Sequence, residues 1–396
     1  MQKKVTFVII LLVVLANTLV NCNKSTATNS DAFSSIRRVF GSNIDPEHLL
    51  NYQNQQIPNY ITKDNTGNNA ITNTKATLGR VLFYDKQLSI NNSIACANCH
   101  HQKFAFSDTA LVSTGVESGV TVRHSMRLVN SRFSSESHFF WNERASTLEN
   151  QTIMPLQDHA EMGYSGQNGR PGLSVLLSKL QAIDYYQELF RFAYGDNAVT
   201  EERLKECLAQ FVRSIQSFDS KYDVGRALVT DENSDFPNFT NQENSGKTLF
   251  LNSAVFDGAG NRISGGLGCG NCHRAPEFDI DPQALNNGII GIANSSGIDI
   301  NNTKAPTLRN LVRLDGTLNG PLMHTGVIKT LQAAIGHYGT INLAAGNNNL
   351  DPRLKPNGFG QQLHLNAQEV NAMIAFLKTL SGSAVYSDER WSNPFL

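Results

Sequence analysis

Two short stretches carry the residue types that do chemistry: Cys96-Ala97-Asn98-Cys99-His100 and Cys269-Gly270-Asn271-Cys272-His273. A CxxCH run reads as an attachment site for haem c. Its two thiols, about one helical turn apart, add to the two vinyl groups of a porphyrin, and the adjacent imidazole binds the iron axially. Two CxxC pairs could instead supply four thiolates to one tetrahedral zinc, but zinc gives no reason for a His directly after each second cysteine. A thioredoxin-like redox CxxC needs a βαβ setting, and none is visible here. The spacing therefore predicts two covalently bound haems, on Cys96, Cys99 and His100 and on Cys269, Cys272 and His273. His101, one residue further on, reads as a surface neighbour.

The elements that position these residues repeat. Gly79-Arg80-Val81-Leu82-Phe83 precedes the first CxxCH, and Gly246-Lys247-Thr248-Leu249-Phe250 precedes the second. A period of about 170 residues is too long for a solenoid and fits two related domains. Helical 3,4 spacing runs through Val175–Tyr186, Glu201–Phe218 and Ala367–Leu380, with Gly382 as a stop. In the second of these Cys207 falls on the apolar face and reads as core. Period-2 alternation is scarce. The expected fold is mainly α: two cytochrome c-like haem domains with long irregular loops and little β.

The expected layout is an export signal with a lipobox Cys at 1–22, an N-terminal tail or linker at 23–70, and a first haem domain at 71–235. A second haem domain follows at 236–382 and a C-terminal tail at 383–396. The polar loops Asp231–Asn241 and Leu343–Asn357 break the helical pattern, and the first is the candidate interdomain linker. Lys3 and Lys4 precede an apolar run, Val5 to Ala16, that is too short to span a bilayer. Leu19-Val20-Asn21-Cys22 then resembles a lipoprotein signal, which would make Cys22 a lipidated first residue. An ordinary signal peptide cut nearby is the alternative. Both imply export to the periplasm, which suits haem c. With 396 residues, 40% hydrophobic and 17% charged, the chain is an ordinary globular one. Its net charge of −1 gives no electrostatic case for nucleic acid.

Several separate motifs together resemble the bacterial di-haem cytochrome c peroxidases and the related MauG-type enzymes. They are Leu78-Gly79-Arg80-Val81-Leu82-Phe83-Tyr84-Asp85 with Leu88-Ser89, and Phe140-Trp141-Asn142-Glu143-Arg144-Ala145. Pro155-Leu156-Gln157 with Glu161-Met162, Ala305-Pro306-Thr307-Leu308-Arg309-Asn310 and Met323-His324-Thr325-Gly326 complete the set. The resemblance implies that the first haem is peroxidatic and the second feeds it electrons, with Trp141 between them and Glu161 over the open side of the first. A carboxylate whose pKa is raised by desolvation can take a proton from one peroxide oxygen and return it to the departing one. Pro155 and Gln157 would shape that pocket.

Three positions depart from the family pattern. The loop Ser113–Val122 contains no His, where many relatives carry one that blocks the first iron, so an open first haem is expected, with His124 the only nearby candidate. His124 also stands where many relatives have an Asn that helps bind an interdomain calcium, and a hard cation prefers oxygen ligands. Tyr338 stands where the peroxidases have the Met that ligates the second haem, as in MauG-type enzymes; His337 and Met323 are its rivals, and Met323 would have to approach from another direction. His324 resembles a family residue near the second haem, while His138, His159 and His364 read as exposed. The implied activity is that of a cytochrome c peroxidase, reducing hydrogen peroxide with electrons from a small cytochrome c or cupredoxin. The alternatives are a MauG-type oxidase acting on a protein substrate and a non-catalytic di-haem electron carrier.

Overall fold

The repeated Gly-basic-x-Leu-Phe motif marks a helix crossing that the chain makes twice. A computed structural model describes residues 31–135, 138–280 and 282–396; the signal and Cys22 lie outside the described residues. Helix α1 is Ser34–Phe40 and α2 is Asn73–Tyr84, whose N-terminus is capped by Thr72 accepting from the Lys75 N–H. Helices α3 (Leu148–Gln157), α4 (Leu173–Gln181), α5 (Asp184–Tyr194), α6 (Glu201–Ser214) and α7 (Lys221–Arg226) follow. Helices α8 (Asn241–Leu251) and α10 (Ala367–Lys378) each begin with a capping box, Thr240 with Glu243 and Asn366 with Glu369; between them lies α9 (Leu331–Gly339).

Helix α2 crosses α6 at Gly79, where a Cβ would stand 2.0 Å from the Cys207 carbonyl oxygen and 2.8 Å from Phe211 Cβ. Helix α8 crosses α10 at Gly246, where a Cβ would stand 2.0 Å from the Ala372 carbonyl oxygen and 2.8 Å from Phe376 Cβ. The motif phenylalanines pack alike, Phe83 on Phe106 and Phe211, Phe250 on Phe278 and Phe376. Its basic residues are buried as tethers. Arg80 donates to the Ser392 carbonyl and hydroxyl, and Lys247 donates to the carbonyls of Glu232 and Ser234. Cys207 is core, as expected, and its backbone carbonyl is the atom against which Gly79 packs.

The described β structure is three two-stranded antiparallel ribbons, so the fold is mainly α. They are β1 (Ala254–Phe256) with β2 (Arg262–Gly265), β3 (His273–Arg274) with β4 (Asp279–Ile280), and β5 (Gly291–Ile292) with β6 (Ser295–Ile298). No helix among the described residues is long and apolar enough to cross a membrane.

The structure revises several element boundaries. Val175–Tyr186 is not one helix, because Ile183 is extended (φ −95°, ψ 121°) and a new helix starts at Asp184. Helix α6 stops at Ser214, since Ile215 is extended. The described part of the 23–70 tail is not a free linker: Ile36, Phe40, Ile44 and Tyr52 belong to the first core, as do Val385 and Trp391 of the 383–396 tail. The second core begins at Tyr222, and the expected linker 231–241 contributes Phe236 and Phe239 to it.

Candidate active site

In the first domain a single 3-10 turn, Cys96–Asn98, presents the two thiols, and the Asn98 side chain closes the turn by accepting from the Ala95 N–H at 2.9 Å. His100 follows directly. Its Nδ1 lies 3.1 Å from the Phe106 carbonyl and 3.2 Å from Ser125 Oγ. Donation to that carbonyl puts the lone pair on Nε2, the atom an iron would take. Burial pushes the imidazole down to about 4, so it is neutral near pH 7. Burial also pushes the Cys96 thiol up to about 12.

Glu161 faces the same cavity as Cys96, Cys99 and His100. The Asp158 side chain fixes its loop by accepting from the backbone N–H groups of Ala160 (2.8 Å) and Glu161 (3.0 Å), and the Glu161 carbonyl accepts from Val116 N (3.0 Å). Gly115 and Gly119 make this docking possible: a Cβ on either would stand 2.0 or 2.6 Å from the Ala160 carbonyl oxygen. Burial and the nearby Asp158 charge push the Glu161 carboxyl up to about 7, against the Arg144 guanidinium, which lowers it. Arg144 is stacked 3.6 Å over the Phe140 ring. Pro155 lines the cavity, but Gln157 is exposed and does not; Gln151, one turn earlier on α3, takes the place expected for it.

The His-free loop Ser113–Val122 is the tight turn on which Glu161 rests. His124 does border the cavity, with its Nδ1 held 3.0 Å from the Ala110 carbonyl. Its neighbour Arg123 is paired with Asp299 and donates to Asn302 Oδ1 at 2.6 Å. A bonded imidazole beside a guanidinium does not fit a calcium ion.

In the second domain the turn Cys269–Asn271 presents the thiols and His273 opens β3. Burial pushes Cys269 up to about 12 and His273 down to about 4. Cys269, Cys272, His273, Met323, His324 and Tyr338 line one cavity. The Tyr338 phenol is pushed above its ordinary range by burial. His337 points elsewhere, its Nε2 lying 2.9 Å from the Asn287 carbonyl, while His324 Nε2 lies 2.9 Å from the Gly291 carbonyl. His138, His159 and His364 are exposed, as expected.

Trp141 borders both cavities and is 9% exposed. Its indole N–H donates to the His124 carbonyl at 2.7 Å, its carbonyl accepts from Thr303 and Lys304 N–H, and its ring meets His324 edge-on at 6.1 Å. Arg127 borders both cavities too. It is 8% exposed and donates to the Arg309 and Thr307 carbonyls, with no carboxylate partner among the described residues. No motif marked it, because one sequence cannot tell a buried Arg from the usual surface one.

These residues fit haem. Each cavity offers a pair of thiols, a neutral imidazole and apolar walls. Arg127 is a buried cation that lacks an anion, and a haem carries two propionates. His273 Nδ1 is likewise buried with no partner among the described residues. Zinc does not fit, since the two cysteine pairs form no cluster of ligand atoms among the described residues.

Two domains of this build, sharing one tryptophan, define a class, and comparison with known proteins names it. A family model described as di-haem cytochrome c peroxidase matches residues 73–231. The methylamine utilization protein MauG of Methylophilus methylotrophus is 30% identical over 325 residues, spanning 80% of this chain and 85% of its own. The cytochrome c551 peroxidase of Nitrosomonas europaea is 26% identical over 78% of this chain and 80% of its own. A crystal structure of a MauG-like protein associated with microbial copper homeostasis is 26% identical, with a TM-score of 0.66, covering 86% of this chain and 99% of that one. The chain belongs to the di-haem cytochrome c peroxidase family. That makes it an oxidoreductase of peroxidase type with two haems as its cofactors.

Proposed function

We propose that the protein is an exported cytochrome c peroxidase that reduces hydrogen peroxide to water with electrons from a small cytochrome c or cupredoxin. The observation that carries the reading is Glu161, a cavity carboxyl with its pKa near 7, beside the first Cys-Cys-His set. When bound through Cys96, Cys99 and His100, haem supplies the iron at which the O–O bond is cleaved. Glu161 takes a proton from one peroxide oxygen and returns it to the departing one, a transfer that a carboxyl with pKa near the working pH performs in both directions. Arg144 keeps part of the carboxyl population ionised. Gly115 and Gly119 hold the Glu161 loop down, and Pro155 and Gln151 wall the cavity. Cys269 and Cys272 would hold the second haem through their thiols, His273 and Tyr338 would ligate its iron, and Trp141 carries electrons between the sites. A non-catalytic carrier has no use for Glu161.

A second reading, MauG-type oxidation of a protein substrate, is favoured by Tyr338. A hard phenolate oxygen stabilises ferric and higher iron rather than ferrous. The test is steady-state peroxide consumption by the matured di-haem protein with reduced cytochrome c. Turnover that follows the donor concentration is expected. Reaction with peroxide that ignores every small donor protein would favour the second reading. Lipidation at Cys22 is part of the proposal: Cys22→Ala should move the protein from the membrane fraction to the soluble one, and an intact mass without acyl groups would refute it.

A further inference from the structure

Besides His273, and His324 whose Nε2 is bonded to the Gly291 carbonyl, the second cavity holds two groups able to bind iron, and a single amide holds both. The Asn287 side-chain N–H₂ donates to Tyr338 Oη at 3.3 Å and to Met323 Sδ at 3.2 Å. Its orientation is fixed, because Asn287 Oδ1 accepts from the Ile289 N–H at 3.1 Å. The Asn287 carbonyl also occupies His337 Nε2 and removes that imidazole from the competition. Both candidate atoms sit on one nitrogen, so they lie within twice a hydrogen-bond length of each other. Met323 therefore does not approach from a separate direction. Its backbone is held at φ 67°, a region that side-chain-bearing residues seldom occupy and that clusters at functional positions.

We infer that Met323 is a second protein ligand of the second haem, exchanged with Tyr338 according to the oxidation state of the iron. The inference rests on the reading that Tyr338 ligates the ferric form. Hard ferric iron prefers an anionic oxygen, and softer ferrous iron prefers a thioether. When a one-electron donor protein reduces the site, the iron–oxygen bond to Tyr338 breaks and the phenolate oxygen takes a proton from water. A sulfur lone pair of Met323 then forms the iron–sulfur bond, and oxidation reverses each step. Asn287 remains bonded to whichever group is off the metal, so neither is left buried without a partner. The exchange would make the second site a good acceptor of oxidising equivalents when ferric and a holder of one electron when ferrous.

The test uses the matured di-haem protein, with near-infrared magnetic circular dichroism of the ferric form and proton NMR of the dithionite-reduced form. The ferric wild type should lack a Met–iron charge-transfer band. The reduced wild type should show one strongly upfield methionine methyl resonance, lost in Met323→Leu, whose ferric spectrum stays that of the wild type. A reduced wild type without that resonance overturns the exchange while leaving Tyr338 in place, and needs no variant to fold. A resonance that survives Met323→Leu overturns it as well. A ferric charge-transfer band that disappears in Met323→Leu would instead show that the Tyr338 reading has failed.

Discussion

Burial raises the proton affinity of Glu161 most, and two opposed neighbours then tune it, each of which can be removed singly. Asp158 raises it and Arg144 lowers it, on top of burial. If the ionised carboxylate takes the first proton, kcat/KM for peroxide rises with pH through an apparent pKa near 7. Asp158→Asn keeps the oxygen that accepts the loop N–H groups but deletes the charge. The rising limb should therefore move to lower pH, and Arg144→Gln should move it to higher pH. Profiles of the two variants that coincide with the wild type would remove Glu161 from the rate-limiting proton transfer. At this scale the two Cys-Cys-His sets were legible in sequence because their spacing is local, whereas Glu161, some 60 residues from the first set, was marked only by the family resemblance. Gln151 was missed in favour of Gln157, although four-residue spacing on α3 from Pro155 points to it. Arg127 and Asn287 left no sequence signal, since only the folded chain shows what surrounds them.

The two helix crossings depend on the absence of a side chain at one position each. Gly79→Ala would place a methyl 2.0 Å from the Cys207 carbonyl oxygen, which neither helix backbone can yield cheaply. The cost should reach or exceed the upper end of the ~1–3 kcal/mol typical of overpacked cores, read as a lowered midpoint of chemical unfolding of the holoprotein. Gly246→Ala should do the same in the second domain. Gly258→Ala is the control, because nothing stands within 4 Å of its Cβ. Equal stability of all three variants would refute the crossing geometry. The repeat itself was legible, since glycine, base and phenylalanine recur in order. The uses of its basic residues were not, because Arg80 reaches Ser392, 312 residues away. The same distance hid the packing of the C-terminal tail on the first core. The break at Ile183 was hidden because apolar spacing continues across it.

Across the whole molecule, the two halves are joined where Trp141 borders both cavities and Arg127 donates to the Arg309 and Thr307 carbonyls. Each core carries its own Cys-Cys-His set, so the haems should be lost one at a time. Replacing Cys96 and Cys99 by Ala, or Cys269 and Cys272 by Ala, should each lower the pyridine haemochrome count from two to one. A wild-type count below two in properly matured protein would contradict covalent attachment at both sites. The two-domain plan was legible from the motif repeat, whereas the domain limits were not, because both termini fold onto the first core. The most direct test of the account is peroxide turnover by the di-haem protein with reduced cytochrome c, wild type against Glu161→Gln. The account predicts that the variant keeps both haems and turns over roughly 10²–10⁴-fold more slowly, the range for losing a general acid–base group. Turnover by Glu161→Gln equal to that of the wild type would contradict it.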